Sequence, residues 1–262
     1  MQAKMQELEE GCRMQKDVYA GSHSRDTASL RDAFGYEGCP VCTVVLQNMN
    51  MAMDTWNYEG FTDVEHRQFL TRIRGFCPLH TWQLAQRNNA FQLAVVYKEI
   101  LDDILEKMGD DGRDREDGHQ EAGGDFIASV KRLFQVEPPL SEDVARIYAH
   151  CPFCRTRANV EQRLVERLIE MLQSEEMRIL LRQSTGLCRV HFTRARQYAE
   201  AHSTPQLHVL VECQRVCLQR SLHEVQELIR KHDYHFGQEP RGEEMTAWRR
   251  AAELSAGNSG VW

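Results

Sequence analysis

Two short motifs, each present twice, carry the chemistry that this chain could do. Cys39-Pro40-Val41-Cys42 and Cys151-Pro152-Phe153-Cys154 each set two thiols three residues apart. Cys77-Pro78-Leu79-His80 and Cys188-Arg189-Val190-His191 each set a thiol and an imidazole at the same spacing. A Cys-x-x-Cys turn presents two thiolates to one ion, and a Cys-x-x-His at a helix start supplies the third and fourth ligands. The sum is Cys3His, a closed tetrahedral geometry of structural zinc sites. Thiolate and imidazole are donors that suit zinc. Two zinc ions per chain are therefore expected, on Cys39, Cys42, Cys77, His80, Cys151, Cys154, Cys188 and His191.

The spacing supports this reading. Between Cys42 and Cys77 lie 34 residues, and between Cys154 and Cys188 lie 33. Free cysteine is often a small core residue, but a core role does not explain two motif pairs that recur in step. The sequence leaves open whether each Cys-x-x-Cys shares its ion with the Cys-x-x-His of its own copy or of the other. An iron–sulfur cluster is the alternative occupant, since such clusters also use cysteine sets with occasional histidine. Covalent haem needs His directly after the second Cys, where Thr43 and Arg155 stand. Thioredoxin-like redox chemistry needs a βαβ context, for which the sequence carries no signal.

Other reactive side chains read more plainly. Cys213 and Cys217 sit four apart on an amphipathic segment and suit buried core positions. Cys12 has no evident role. Met49 and Met53 share a helical face and read as core rather than as soft-metal ligands. His232, Asp233, His235 and Glu239 are candidates for an open metal or acid–base site, and their simpler reading is a polar helix end. No glycine-rich phosphate loop, G-x-S-x-G or H-E-x-x-H is present.

The elements that must position these motifs are helical. Val45, Met49, Met53 and Trp56 fall on one helical face, as do Val160, Leu164, Leu168, Met171 and Leu172. Thr62 to Glu65 has the form of a capping box, and Ser174 suits an N-cap. Gly75 and Gly186 suit the stop of a short helix and the turn into each Cys-x-x-His. Leu93, Tyr97, Ile100, Leu101, Ile104 and Leu105 form a stripe on one long helix. Leu207, Leu210, Val211, Cys217, Leu218, Leu222, Val225 and Ile229 form another, opened by Thr204-Pro205.

The expected fold is all-α, with duplicated helical repeats that each join CPxC and CxxH turns at a Cys3His site. Its expected organisation is an N-terminal helical extension (1–36), a first repeat (37–108) and a flexible acidic linker (109–124). A second repeat (125–236), which includes a helix around Phe126, Val130, Leu133 and Phe134, precedes a C-terminal helix and tail (237–262).

These motifs, with the closing Lys231-His232-Asp233-Tyr234-His235-Phe236, the Glu239-Pro240 and Gly242-Glu243-Glu244 runs and Ala247-Trp248, resemble an uncharacterised bacterial family of unknown function. The resemblance runs from about Cys39 to Leu254. In that family Trp-Gly usually follows the Glu-Pro pair, whereas Arg241 stands at the Trp position here. The resemblance implies the duplicated architecture and no particular activity.

Composition narrows the function classes. A hydrophobic share of 42% suits a globular core, and the 27% of charged residues is ordinary. The net charge of −7, with both signs mixed along the helices, speaks against nucleic-acid binding. No apolar run approaches the roughly 20 residues that a bilayer requires. The opening MQAKMQELEEGCRMQKD lacks the basic and apolar regions of a secretory signal. Nine cysteines then point to metal binding in a reducing cytoplasm rather than to disulfides. A zinc-binding protein whose partner is another protein is expected. A metalloenzyme or an iron–sulfur redox protein is the alternative.

Overall fold

The structure, a computed structural model, describes residues 24–87, 89–113, 151–236 and 238–261. Among them every regular element is helical, as the 3.6-residue periodicity requires. A helix over residues 24–33 (α1) is followed by α2 (Pro40–Thr55), which runs into a π-helical turn at Trp56–Gly60. Next come α3 (Val64–Arg72), α4 (Pro78–Ala85) and α5 (Ala90–Arg113). After the second CPxC come α6 (Pro152–Met171), α7 (Glu175–Gln183), α8 (Arg189–Ala201) and α9 (Gln206–Lys231). Two 3-10 turns, Tyr234–Phe236 and Glu243–Thr246, lead to α10 (Ala247–Ala256).

Two compact units result, and they cut across the order of the motifs. One holds the described residues up to Asn48 together with Asn159–Trp262, and the other holds those from Met49 to Ala158. These bounds differ from the repeat bounds 37–108 and 125–236, and they fall inside α2 and α6. Helix α5 continues to Arg113, so residues 109–113 of the expected linker are helical. Cys12, the rest of that linker and the segment Phe126–Phe134 lie outside the described residues.

The stripes read from the CPxC helices are buried. Val45, Met49, Met53 and Trp56 are at most 5% exposed, and Leu164, Leu168 and Leu172 are fully buried. A leucine side chain taken wholly out of water contributes about 1.5–3 kcal/mol. On α5 and α9 the buried face is narrower than the apolar stripe. Val96 and Ile100 are buried on α5, but Leu101 and Leu105 are exposed. On α9 the buried seam is Leu210, Cys213, Gln214, Cys217, Ser221 and Leu228, whereas Leu218, Leu222 and Ile229 face outward. Successive helical residues are about 100° apart, so a stripe drawn through both Cys217 and Leu218 spans more than the seam that packs.

Capping also differs in detail. Asp63 is the N-cap of α3, its carboxylate accepting from the backbone N–H groups of Glu65 and His66. The Thr62 hydroxyl instead donates to the Glu59 carbonyl. Ser174 stands at the N-cap of α7 without a side-chain capping bond.

Candidate metal centres

Each of the four motifs begins a helix. The carbonyls of Cys39, Cys77, Cys151 and Cys188 accept from the N–H groups of Thr43, Thr81, Arg155 and Phe192, four residues on. Proline follows three of these cysteines, where its missing N–H costs nothing and its fixed φ suits the first helical turn. Cys77 and Cys188 have nearly the same backbone, with φ/ψ of −64°/160° and −66°/159°. The second ligand of each pair then stands one turn inside its helix, on the same side as the first.

The structure brings the eight residues into two groups of four, each with all ligand atoms within 4.8 Å of one another. The grouping is crossed. Cys39 and Cys42 meet Cys188 and His191 (centre I), while Cys77 and His80 meet Cys151 and Cys154 (centre II). Each Cys-x-x-Cys thus lies with the Cys-x-x-His of the other copy.

The distances fit one tetrahedral ion. Bonds of 2.3 Å to sulfur and about 2.05 Å to nitrogen put sulfur–sulfur edges at about 3.8 Å and sulfur–nitrogen edges at about 3.6 Å. In centre I the Cys42 and Cys188 sulfurs are 3.8 Å apart. His191 Nδ1 lies 3.6, 3.3 and 3.3 Å from the sulfurs of Cys39, Cys42 and Cys188. In centre II the Cys77 and Cys154 sulfurs are 3.5 Å apart. His80 Nδ1 lies 3.0, 3.6 and 3.4 Å from the sulfurs of Cys77, Cys151 and Cys154. All eight ligands are buried, and the six cysteines are free thiols.

In both centres the buried thiols act strongly on one another. Hydrogen bonds from Cys39 and Cys42, with help from His191, pull the Cys188 thiol far down. Burial, and then the neighbouring Cys188 and Cys42, push Cys39 well up. In centre II Cys151 is pulled down by Cys154 and Cys77, and Cys154 is pushed up by Cys151 and Cys77. One thiolate per centre is favoured, and it opposes the ionisation of its neighbours. A dication held there would relieve that opposition, and two helix N-termini at each centre add positive potential.

The surroundings of the two centres differ. In centre I, Gln214 clamps the turn before Cys188, its amide accepting from the Leu187 N–H at 2.9 Å and donating to the Leu187 carbonyl at 2.8 Å. Gly38 N–H donates to the Thr185 hydroxyl at 3.0 Å, which ties the two ligand turns together. The outer ring nitrogen of His191, Nε2, lies 3.7 Å from the buried carboxylate of Glu161, which also pairs with Arg194. Burial alone would lower the His191 pKa, but Cys188, Cys42 and Glu161 raise it to about 11. In centre II the His80 ring packs on Phe153 at 5.6 Å, and Phe153 on Phe76 at 5.1 Å. There the Thr81 hydroxyl, within 2.9 Å of the Tyr97 hydroxyl, fixes the first turn of α4.

Glu161 was not singled out from the sequence, yet it left a signal: an acidic residue inside the apolar stripe of Val160, Leu164 and Leu168. Cys213 and Cys217 are buried core residues that contact carbonyls of α7. His232, Asp233, His235 and Glu239 are all exposed. Asp233 accepts from the His235 backbone N–H, and Glu239 pairs with Arg230. Among the described residues no metal-ligand cluster includes them.

A family of unknown function, DUF6062, matches residues 25–260. The chain belongs to DUF6062. The match takes in both centres of this DUF6062 chain, both compact units and the C-terminal segment. No curated protein and no solved structure matches it. Among its described residues no helix is long and apolar enough to cross a membrane.

Proposed function

We propose that this chain is a zinc protein with two structural Cys3His centres, and that the fold they close serves as a docking module for another protein. The observation that carries the proposal is the pair of buried four-ligand groups at paired helix N-termini. A closed four-ligand site contributes folding energy and leaves no position for a substrate. Ligand atoms within 4.8 Å of one another suit a single ion rather than several irons with bridging sulfides. Zinc is the ion that three thiolates and one imidazole favour. Free thiols at all six ligand cysteines accord with a reducing compartment, so a cytoplasmic location belongs to the same proposal.

The test is native mass spectrometry and elemental analysis of protein purified anaerobically without added metal. Two zinc ions per chain are expected, in a colourless protein. Iron with inorganic sulfide would replace this reading with a redox one, and a metal-free folded chain would overturn it. Affinity capture with the zinc-loaded chain, with the metal-stripped chain as control, tests the docking role: a partner protein retained only by the loaded form is expected, and retention of nucleic acid instead would refute it.

A further inference from the structure

Glu161 is 1% exposed in the middle of α6. A buried carboxylate without partners costs several kcal/mol, so its position calls for compensation. Two groups from α8 contribute to it. Arg194 meets Oε2, and His191 Nε2 lies 3.7 Å from Oε1. Arg194 is three residues after His191 and so stands on the same face of α8, about one turn on. The Arg194 side chain is 42% exposed, so it reaches the carboxylate from the surface. Glu161 thus lies between a cation, which it pairs with, and the outer edge of a ligand imidazole, which it faces at 3.7 Å.

Centre II has no such arrangement at the corresponding sequence positions. Glu161 stands ten residues after Cys151, and ten residues after Cys39 stands Met49. Arg194 stands three residues after His191, and three residues after His80 stands Gln83. A carboxylate on the outer nitrogen of a ligand histidine fixes the tautomer that turns Nδ1 to the metal, and it raises the ligand's basicity. Loss of such a partner typically costs about 10- to 100-fold in metal affinity.

We infer that Glu161 is the positioning residue of centre I and makes it the tighter of the two centres. This rests on the zinc reading proposed above. The zinc-loaded full chain is challenged with a chromophoric chelator while bound zinc is counted by native mass spectrometry. The wild type releases its two ions in two phases, the slower one from centre I. Glu161→Gln keeps shape and burial but loses the charge, and it speeds the slow phase by about 10- to 100-fold while the fast phase keeps its rate. A Cys154→Ser variant, which removes a centre II ligand, assigns the phases.

A second measurement uses the wild type alone. In the zinc-loaded protein with 15N-labelled histidine, the Nε2 proton of His191 is expected to resonate downfield of that of His80, because a carboxylate stands 3.7 Å from that nitrogen. Indistinguishable phases, a Glu161→Gln variant that releases zinc like the wild type, or matching imidazole protons would overturn the inference while leaving the zinc reading intact. A wild-type chain without zinc would instead refute the reading on which it rests.

Discussion

Centre I and centre II use the same four ligand types, in a different order along the chain, and they differ in what stands behind them. Centre I is braced by polar groups: Gln214 on the turn before Cys188, and Glu161 with Arg194 behind His191. Centre II is braced by rings, with Phe153 against His80, Phe76 against Phe153 and Trp56 edge-on to Phe76 at 5.2 Å. Hydrogen bonds fix direction and charge, whereas stacked rings fix position and exclude water. Equal ligand sets can therefore hold an ion with unequal strength, and a ligand motif alone does not report the difference.

The largest effects come from the ligands. Cys42→Ser should remove the ion of centre I and Cys154→Ser that of centre II, each leaving one zinc by native mass spectrometry. Each should also lower the melting temperature by about 10 °C or more, because structural metal binding is folding free energy. Loss of both ions from either single variant would break the comparison by making the centres one cooperative unit.

Acid should release both ions. Cys39 and Cys154 hold their protons more tightly than ordinary thiols, so zinc must displace them and competition grows as pH falls. With at least one proton displaced per centre, apparent affinity should fall by about tenfold or more per pH unit on acidification. Chelator competition at several pH values measures the slope. An affinity that rises toward low pH would contradict the thiolate assignment.

Two glycines sharpen the contrast at smaller cost. Gly186 and Gly75 occupy matching turns with φ of +92° and +96°. A Cβ on Gly186 would lie 2.7 Å from the Cys217 Cβ, whereas one on Gly75 would meet the Tyr97 ring at 3.3 Å. Both alanine variants bear the strain of a positive φ, and Gly186→Ala adds a clash with α9. Losses of about 2–4 kcal/mol for Gly186→Ala and about 1–2 kcal/mol for Gly75→Ala are expected in chemical denaturation. Equal losses would mean that the turn of centre I yields as easily as that of centre II.

The smallest effects belong to the exposed C-terminal residues. His232→Ala and His235→Ala should leave zinc content unchanged and stability within about 0.5 kcal/mol. A lost ion in either variant would extend a centre toward that segment.

Much of this was legible in the residues themselves. Periodicity reveals the CPxC helices because Val45, Met49 and Met53, and likewise Leu164 and Leu168, recur at helical spacing and are buried. The ligand types are legible because thiols and imidazoles three apart at helix starts have little other reason to recur. The crossed grouping was not legible, since the same spacing satisfies pairing within a copy and between copies. Exposure of Leu218 and Leu222 was hidden because periodicity reports an apolar face but not how much of it a neighbour covers. Glu161 stood in view inside an apolar stripe, and its meaning depends on Arg194 and His191, which only the tertiary structure brings to it.

The crossed grouping also sets a sequence of events during synthesis. Centre II closes a span from Cys77 to Cys154, and centre I closes a longer one, from Cys39 to His191, that encloses it. On a ribosome adding about 5–20 residues per second, the inner span is completed first and the outer one must wait for the Cys188 turn. Closing the outer span after the inner one shortens the free chain that has to be gathered, which lessens its entropic cost. On the zinc reading proposed above, metal would be drawn in from the inside outward, and a chain interrupted between Cys154 and Cys188 holds the candidate ligands of one complete centre.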